Sequence, residues 1–193
     1  MGNAEFRGLG SSAWNFLYVK NVDATYKKAL KLGAQNIEEP GDKPYGDRRA
    51  TVKDSFGNTW AISKPIGGKP VPERFRTVTP YVGGRGAGAL ADFVKRVFGA
   101  IEVERRGDPA GEDFHAELTI GDSLIMVGGG HETIGHFYLY VGDVDDVYQR
   151  ALAAGATSLD KPADQEWGDR SGGVKDPFGN VWYIATYKKR TEE

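Results

Sequence analysis

The chain contains no cysteine, which excludes disulfide bridges and thiolate-held zinc. Any metal must be held by His, carboxylate, carbonyl, hydroxyl or water. Histidine is scarce as well, with only His115, His131 and His136 among 193 residues. No apolar run approaches the ~20 residues that span a bilayer, and no charged-then-apolar signal segment opens the sequence. Neither sign of charge dominates: 25 Lys and Arg stand against 27 Asp and Glu, for a net charge of −2. The short run Lys188-Lys189-Arg190 is too small for a nucleic-acid footprint. These absences predict a soluble, cytoplasmic protein that engages neither nucleic acid nor membrane. Residues Met1 to Ser12, with Gly, Ser and Asn, read as a loose lead-in.

What is present is a repeat. Shifting the sequence by 122 positions lays residues 17–62 on 139–184 without a gap, and 23 of the 46 positions are identical. Leu17-Tyr18-Val19 falls on Leu139-Tyr140-Val141, Gly46-Asp47-Arg48 on Gly168-Asp169-Arg170, and Phe56-Gly57-Asn58 on Phe178-Gly179-Asn180. Each copy starts with an aromatic-rich strand, Phe16 to Val19 or Phe137 to Val141. A helix follows, Ala24 to Leu32 or Val147 to Ala154, introduced by Asp23 and by Asp143 or Asp145 as caps. Gly33 and Gly155 end these helices. Three strands complete each copy, the last two joined at Asp54 to Asn58 and at Asp176 to Asn180, which carry hairpin-turn residues. Between the copies lies a more diverged unit of the same order. Thr79 to Val82 is a strand, Ala87 to Phe98 a helix, and Ile101 to Arg106, Phe114 to Ile120 and Ser123 to Val127 are strands. The units are A (about 13–65), B (about 76–128) and C (about 134–188). Gly67 to Pro72 links A to B, and Gly128-Gly129-Gly130 reads as a flexible joint before C.

His115-Ala116-Glu117-Leu118 with Gly121-Asp122-Ser123, and Trp167-Gly168-Asp169-Arg170 with Val174 to Asn180, resemble the vicinal oxygen chelate superfamily. This is also called the glyoxalase/bleomycin-resistance/dioxygenase superfamily, and the stretches look like its bacterial glyoxalase-like branch. The resemblance covers residues 13 to 188. It implies an α+β fold of repeated βαβββ modules forming a curved, cup-shaped mixed sheet with helices on the outer face. Where such proteins hold a metal, each paired module supplies two ligands from the concave face. Adjacent B and C are expected to pair into a complete domain over 76–188. Module 13–65 is then a half domain with an open edge, which predicts a homodimer in which A meets A of a second chain. The alternative is that A is the second half of a truncated domain.

Strand alternation selects the cup-facing side chains. These are His115, Glu117 and Thr119 on one strand and His136, Tyr138 and Tyr140 on another. Thr79, Tyr81, Val181 and Tyr183 come from two more. In A the matching positions are Trp14, Phe16, Tyr18 and Ala61. The ligand positions implied by the resemblance fall on Thr79, Glu117, His136 and Tyr183. Only Glu117 and His136 are good donors, so these two are the candidate catalytic and metal-binding residues for a divalent metal. Without a metal, His115, Tyr81, Tyr138, Tyr140, Tyr183 and Trp167 form an aromatic, hydrogen-bonding wall for a small organic molecule. In that reading Glu117 attracts a cation or serves as a general base. Three functions follow. The first is binding of a small organic molecule in the cup of 76–188. The second is a divalent-metal-dependent lyase, isomerase or dioxygenase. The third is a structural protein assembling through 13–65.

Other features read as structural. Asp47-Arg48 and Asp169-Arg170 suggest ion pairs, Trp60 and Trp182 suggest core, and His131 reads as solvated. Tyr45 and Trp167 are lids or hydrophobic anchors. Gly84-Arg85-Gly86-Ala87-Gly88-Ala89 fits a dinucleotide-loop pattern, with Glu104 about 20 residues on, but three strands follow its helix where a doubly wound sheet would alternate.

Overall fold

The computed structural model describes residues 13–188. The lead-in Met1 to Ser12 and the basic pair Lys189-Arg190 lie outside the described residues. Three βαβββ units run in chain order. Unit A comprises β1 (Trp14–Tyr18), α1 (Val22–Lys31), β2 (Gln35–Asp42), β3 (Asp47–Lys53) and β4 (Thr59–Pro65). Unit B comprises β5 (Val78–Gly83), α2 (Ala87–Phe98), β6 (Ile101–Arg106), β7 (His115–Ile120) and β8 (Ser123–Gly128). Unit C comprises β9 (His136–Tyr140), α3 (Val144–Ala153), β10 (Thr157–Asp164), β11 (Asp169–Lys175) and β12 (Val181–Tyr187). No helix among the described residues is long and apolar enough to cross a membrane.

The repeated sequence has local physical causes. Asp54 accepts the backbone N–H groups of Phe56 and Asn58 and the indole N–H of Trp60. Asp176 does the same for Phe178, Asn180 and Trp182. One carboxylate thereby shapes the turn and anchors the tryptophan of the next strand. Arg48 clamps Asp23 through two bonds of 2.7 Å, and Arg170 clamps Asp145 at 2.6 and 2.7 Å. Each acid sits in the first turn of its helix, and the guanidinium holds the carboxyls of both Asp23 and Asp145 below the ordinary carboxylate range. Arg48 and Arg170 are therefore structural. Asn21, not Asp23, caps α1, accepting from the Ala24 N–H, whereas Asp143 caps α3.

The module pairing differs from the one expected. The eight-stranded sheet runs β2-β3-β4-β1-β5-β8-β7-β6 and joins A to B. C forms its own four-stranded sheet, β10-β11-β12-β9. The first strands of A and B pair antiparallel, with Trp14 opposite Tyr81 and Phe16 opposite Thr79. The concave face of A is therefore covered by B within the chain. B and C meet through their convex, helix-bearing faces in one apolar core. There the Phe98 and Trp182 rings lie 4.6 Å apart, and Phe137 stacks on Trp182 at 4.3 Å.

The B–C joint explains this arrangement. Just past the three glycines, Thr133 donates its backbone N–H to the Gly83 carbonyl and its hydroxyl oxygen accepts the Gly83 N–H. Gly135 donates to Asn180 Oδ1 at 2.8 Å. These bonds turn the chain away from the sheet of B before β9 begins. Of the dinucleotide-loop glycines, Gly84 and Gly86 are turn residues with positive φ, Gly86 being left-handed at φ 80°, while Gly88 lies within α2. The Phe178 ring lies 3.4 Å from where a Gly86 Cβ would stand.

Two outcomes follow. Trp182 is fully buried, whereas its counterpart Trp60 is only partly covered. Trp182→Ala should cost about 3–5 kcal/mol and Trp60→Ala clearly less, as read by chemical denaturation. A Cβ on Gly128 would stand 1.8 Å from the Tyr81 hydroxyl. Gly128→Ala should therefore expel the Tyr81 ring and lower the melting temperature, and Tyr81→Ala should recover part of that loss.

Candidate functional site

The paired A and B sheets enclose a cavity of about 570 Å³. Its walls are aromatic: Trp14, Phe16 and Tyr18 from β1, Tyr81 from β5, and Tyr45 and Phe75 from loops. Pleat alternation on β1 turns these three side chains to the concave face. Trp14 and Tyr81, opposite each other across the A–B seam, have ring centroids 5.7 Å apart. The His131 ring stacks on Trp14 at 4.1 Å, at the rim. Burial there, with Arg49 nearby, holds the imidazole below its ordinary pKa. His131 thus lines the site while remaining exposed, as expected of it. Burial also raises the phenols of Tyr18 and Tyr81 above their ordinary value.

Glu117 lies on the floor of this cavity. It projects from β7 and is 6% exposed. Its Oε1 lies 3.7 Å from His115 Nε2, on the same face of the same strand. Its Oε2 lies 3.5 Å from Arg74 Nη2, too long for a charge-assisted hydrogen bond. That oxygen is buried and accepts no hydrogen bond. Arg74 comes from the linker between A and B, is half exposed, and also faces Glu104 at 3.8 Å. Arg49 is held by Glu38 at 3.0 Å and lies over the Tyr45 ring. Five carboxylates line the cavity, Asp47, Glu104, Glu112, Asp113 and Glu117, against the three guanidinium groups of Arg49, Arg74 and Arg106. Burial raises the Asp47 pKa above its ordinary value.

Of the residues selected from sequence, His115, Glu117 and Tyr81 meet in this cavity. His136, Tyr138, Tyr140 and Tyr183 belong to the separate sheet of C. There Tyr140 donates to Asp169 at 3.1 Å, and the Tyr138 hydroxyl lies 3.4 Å from the same carboxylate. Trp167, on the turn before β11, is exposed. The chain therefore does not bring Glu117 and His136 together as ligands of one metal. Beside Glu117 stand one imidazole, His115, and the Glu104 carboxylate opposite it on the paired strand, with the Arg74 guanidinium facing both carboxylates. No group of three or more His, Asp or Glu among the described residues is arranged to hold an ion. This donor set does not fit the divalent-metal centre that the resemblance implies.

Sequence reasoning missed Arg74, Asp47 and His131. Arg74 and His131 sit just past the segments read as a linker and a joint, without periodicity to assign them a face. Asp47 was grouped with Arg48 as an ion-pair turn. Alternation along β3 separates the two, since Arg48 pairs with the helix while Asp47 turns into the cup.

Comparison with known proteins agrees with this architecture. The family model for the Glyoxalase/Bleomycin resistance protein/Dioxygenase superfamily matches residues 5–62 and 84–184. The uncharacterized protein Rv0887c of Mycobacterium tuberculosis is 37% identical over 125 residues, covering 55% of this chain and 72% of that protein. The uncharacterized protein Mb0911c of Mycobacterium bovis matches at the same identity and covers 80% of its own length. Among solved structures, glyoxalase I from Zea mays superposes with a TM-score of 0.68 at 14% identity, over 91% of this chain and 66% of that one. That likeness is one of fold. On the family match across most of its length, the chain belongs to the Glyoxalase/Bleomycin resistance protein/Dioxygenase superfamily.

Proposed function

We propose that the protein binds a flat, cationic organic molecule in the cup between modules A and B. The cup of 76–188 expected from sequence is thereby replaced by one built from residues 14–131. The observation that carries the reading is the buried Glu117 carboxylate, whose Oε2 accepts no hydrogen bond. A buried carboxylate oxygen without a hydrogen-bond partner is costly, and Arg74 approaches it without closing a hydrogen bond. An ammonium or amidinium group of a ligand would complete that oxygen. The aromatic walls supply ring faces that attract cations and flat molecules, and the excess of carboxylates among the lining residues favours the same sign of charge. Arg74 acts as a resident counter-ion that the ligand replaces.

The test is binding of flat aromatic cations against their neutral isosteres, by calorimetry and thermal shift. Cations should bind more tightly. Glu117→Gln, which keeps the shape and removes the charge, should weaken them at least about tenfold, in line with ~1.5–3 kcal/mol for a hydrogen bond to a charged group. Arg74→Ala should tighten cation binding and leave neutral isosteres unchanged. Equal affinity for cations and isosteres, with no effect of Glu117→Gln, would refute the reading.

A further inference from the structure

The repeat places two carboxylates in equivalent positions. Asp47 of A and Asp169 of C each open the third strand of their module. Asp169 is buried and served by two phenols: Tyr140 donates to it at 3.1 Å, and the Tyr138 hydroxyl stands 3.4 Å away. Both phenols come from β9, two strands over. In C the carboxylate is therefore a structural group.

In A these partners are gone. Phe16 stands where C has Tyr138, so one hydroxyl is missing. Tyr18, the counterpart of Tyr140, keeps its hydroxyl but does not donate it. Among the described residues, the Asp47 carboxylate has no hydrogen-bond or ion-pair partner. Its cationic neighbours are committed elsewhere, Arg48 to Asp23 and Arg49 to Glu38. Burial raises the Asp47 carboxyl, and the charge of Arg49 offsets this only in part.

Asp47 lines the same cavity as Glu117, from the other module. The Tyr18 phenol senses both: burial raises it, and the charges of Asp47 and Glu117 raise it further. The other acids of the lining differ. Glu104 is bonded to Arg106 at 2.9 Å, and Glu112 and Asp113 are exposed. Two carboxylates short of partners thus remain inside the cup, one on each module. A ligand with a single cationic group satisfies one and leaves the other unpaired. We infer that Asp47 is a second anchor, and that the cup selects flat molecules carrying two cationic groups, one for Glu117 and one for Asp47, with aromatic rings between them. The inference rests on the cation reading above and narrows it to dications.

The experiment compares benzene and biphenyl carrying one amidinium with the same rings carrying one at each end, by calorimetry. At one of the two ring lengths the diamidine should bind the parent chain at least about tenfold more tightly than its monoamidine, as a second charge-assisted hydrogen bond supplies. Asp47→Asn should remove most of that advantage, whereas Glu117→Gln should weaken both ligands. Phe16→Tyr restores the hydroxyl that Tyr138 supplies in C; it should also narrow the advantage, with no charge altered. The free Asp47→Asn chain should melt no lower than the parent, since the carboxylate it removes has no partner, and this separates lost anchoring from lost folding. An advantage missing at both ring lengths, or one that survives Asp47→Asn, would overturn the inference, while monoamidine binding that depends on Glu117 would leave the cation reading standing. No binding by any amidine would sink both.

Discussion

The antiparallel ladder between β1 and β5 is the constraint on which the rest of this structure depends. A βαβββ module alone has a free first strand and an open concave face, and unpaired backbone groups at a buried seam are not tolerated. Pairing Phe16 with Thr79 satisfies that edge and turns two curved sheets into one cup. It also brings Trp14 against Tyr81 and sets the aromatic wall facing the carboxylate of Glu117. With B committed to A on this side, C is left to pack on the helix face of B. The core reflects that division, with one large cluster across B and C and a smaller one within A.

The interior of the cup is polar in an organised way. Charged residues of the same structure that hold shape are paired at hydrogen-bond distance, as Arg48 is with Asp23 and Arg170 with Asp145. Glu117 is different, since its neighbours stand 3.5 and 3.7 Å away and one oxygen is left unbonded. A buried carboxylate so placed contributes little to stability. Under the function proposed above, a cation entering the cup would offset that cost.

Much of this was legible in the sequence because its causes are local. The 122-residue repeat, the Asp54 and Asp176 turns and the α2 boundaries follow from side chains within a few positions of each other. Alternation along β7 was enough to direct His115 and Glu117 inward. The pairing of modules was not legible, because A, B and C carry equivalent first strands and adjacency in the chain favours B with C. The decision rests on the straps at Thr133 and Gly135, which no periodicity reveals. With a different partner for B, the selected residues fall on two surfaces instead of one. His136, Tyr138, Tyr140 and Tyr183 do face a concave surface, but that of another sheet.

The chain has no native cysteine, so engineered pairs report the module pairing directly. Directly opposite residues of an antiparallel pair lie within disulfide reach. The double variant Phe16→Cys with Thr79→Cys should oxidise to an intramolecular disulfide, whereas Thr79→Cys with Tyr138→Cys should remain reduced. Formation of the second bond and not the first would mean that B closes its cup with C, and the site described between A and B would not exist.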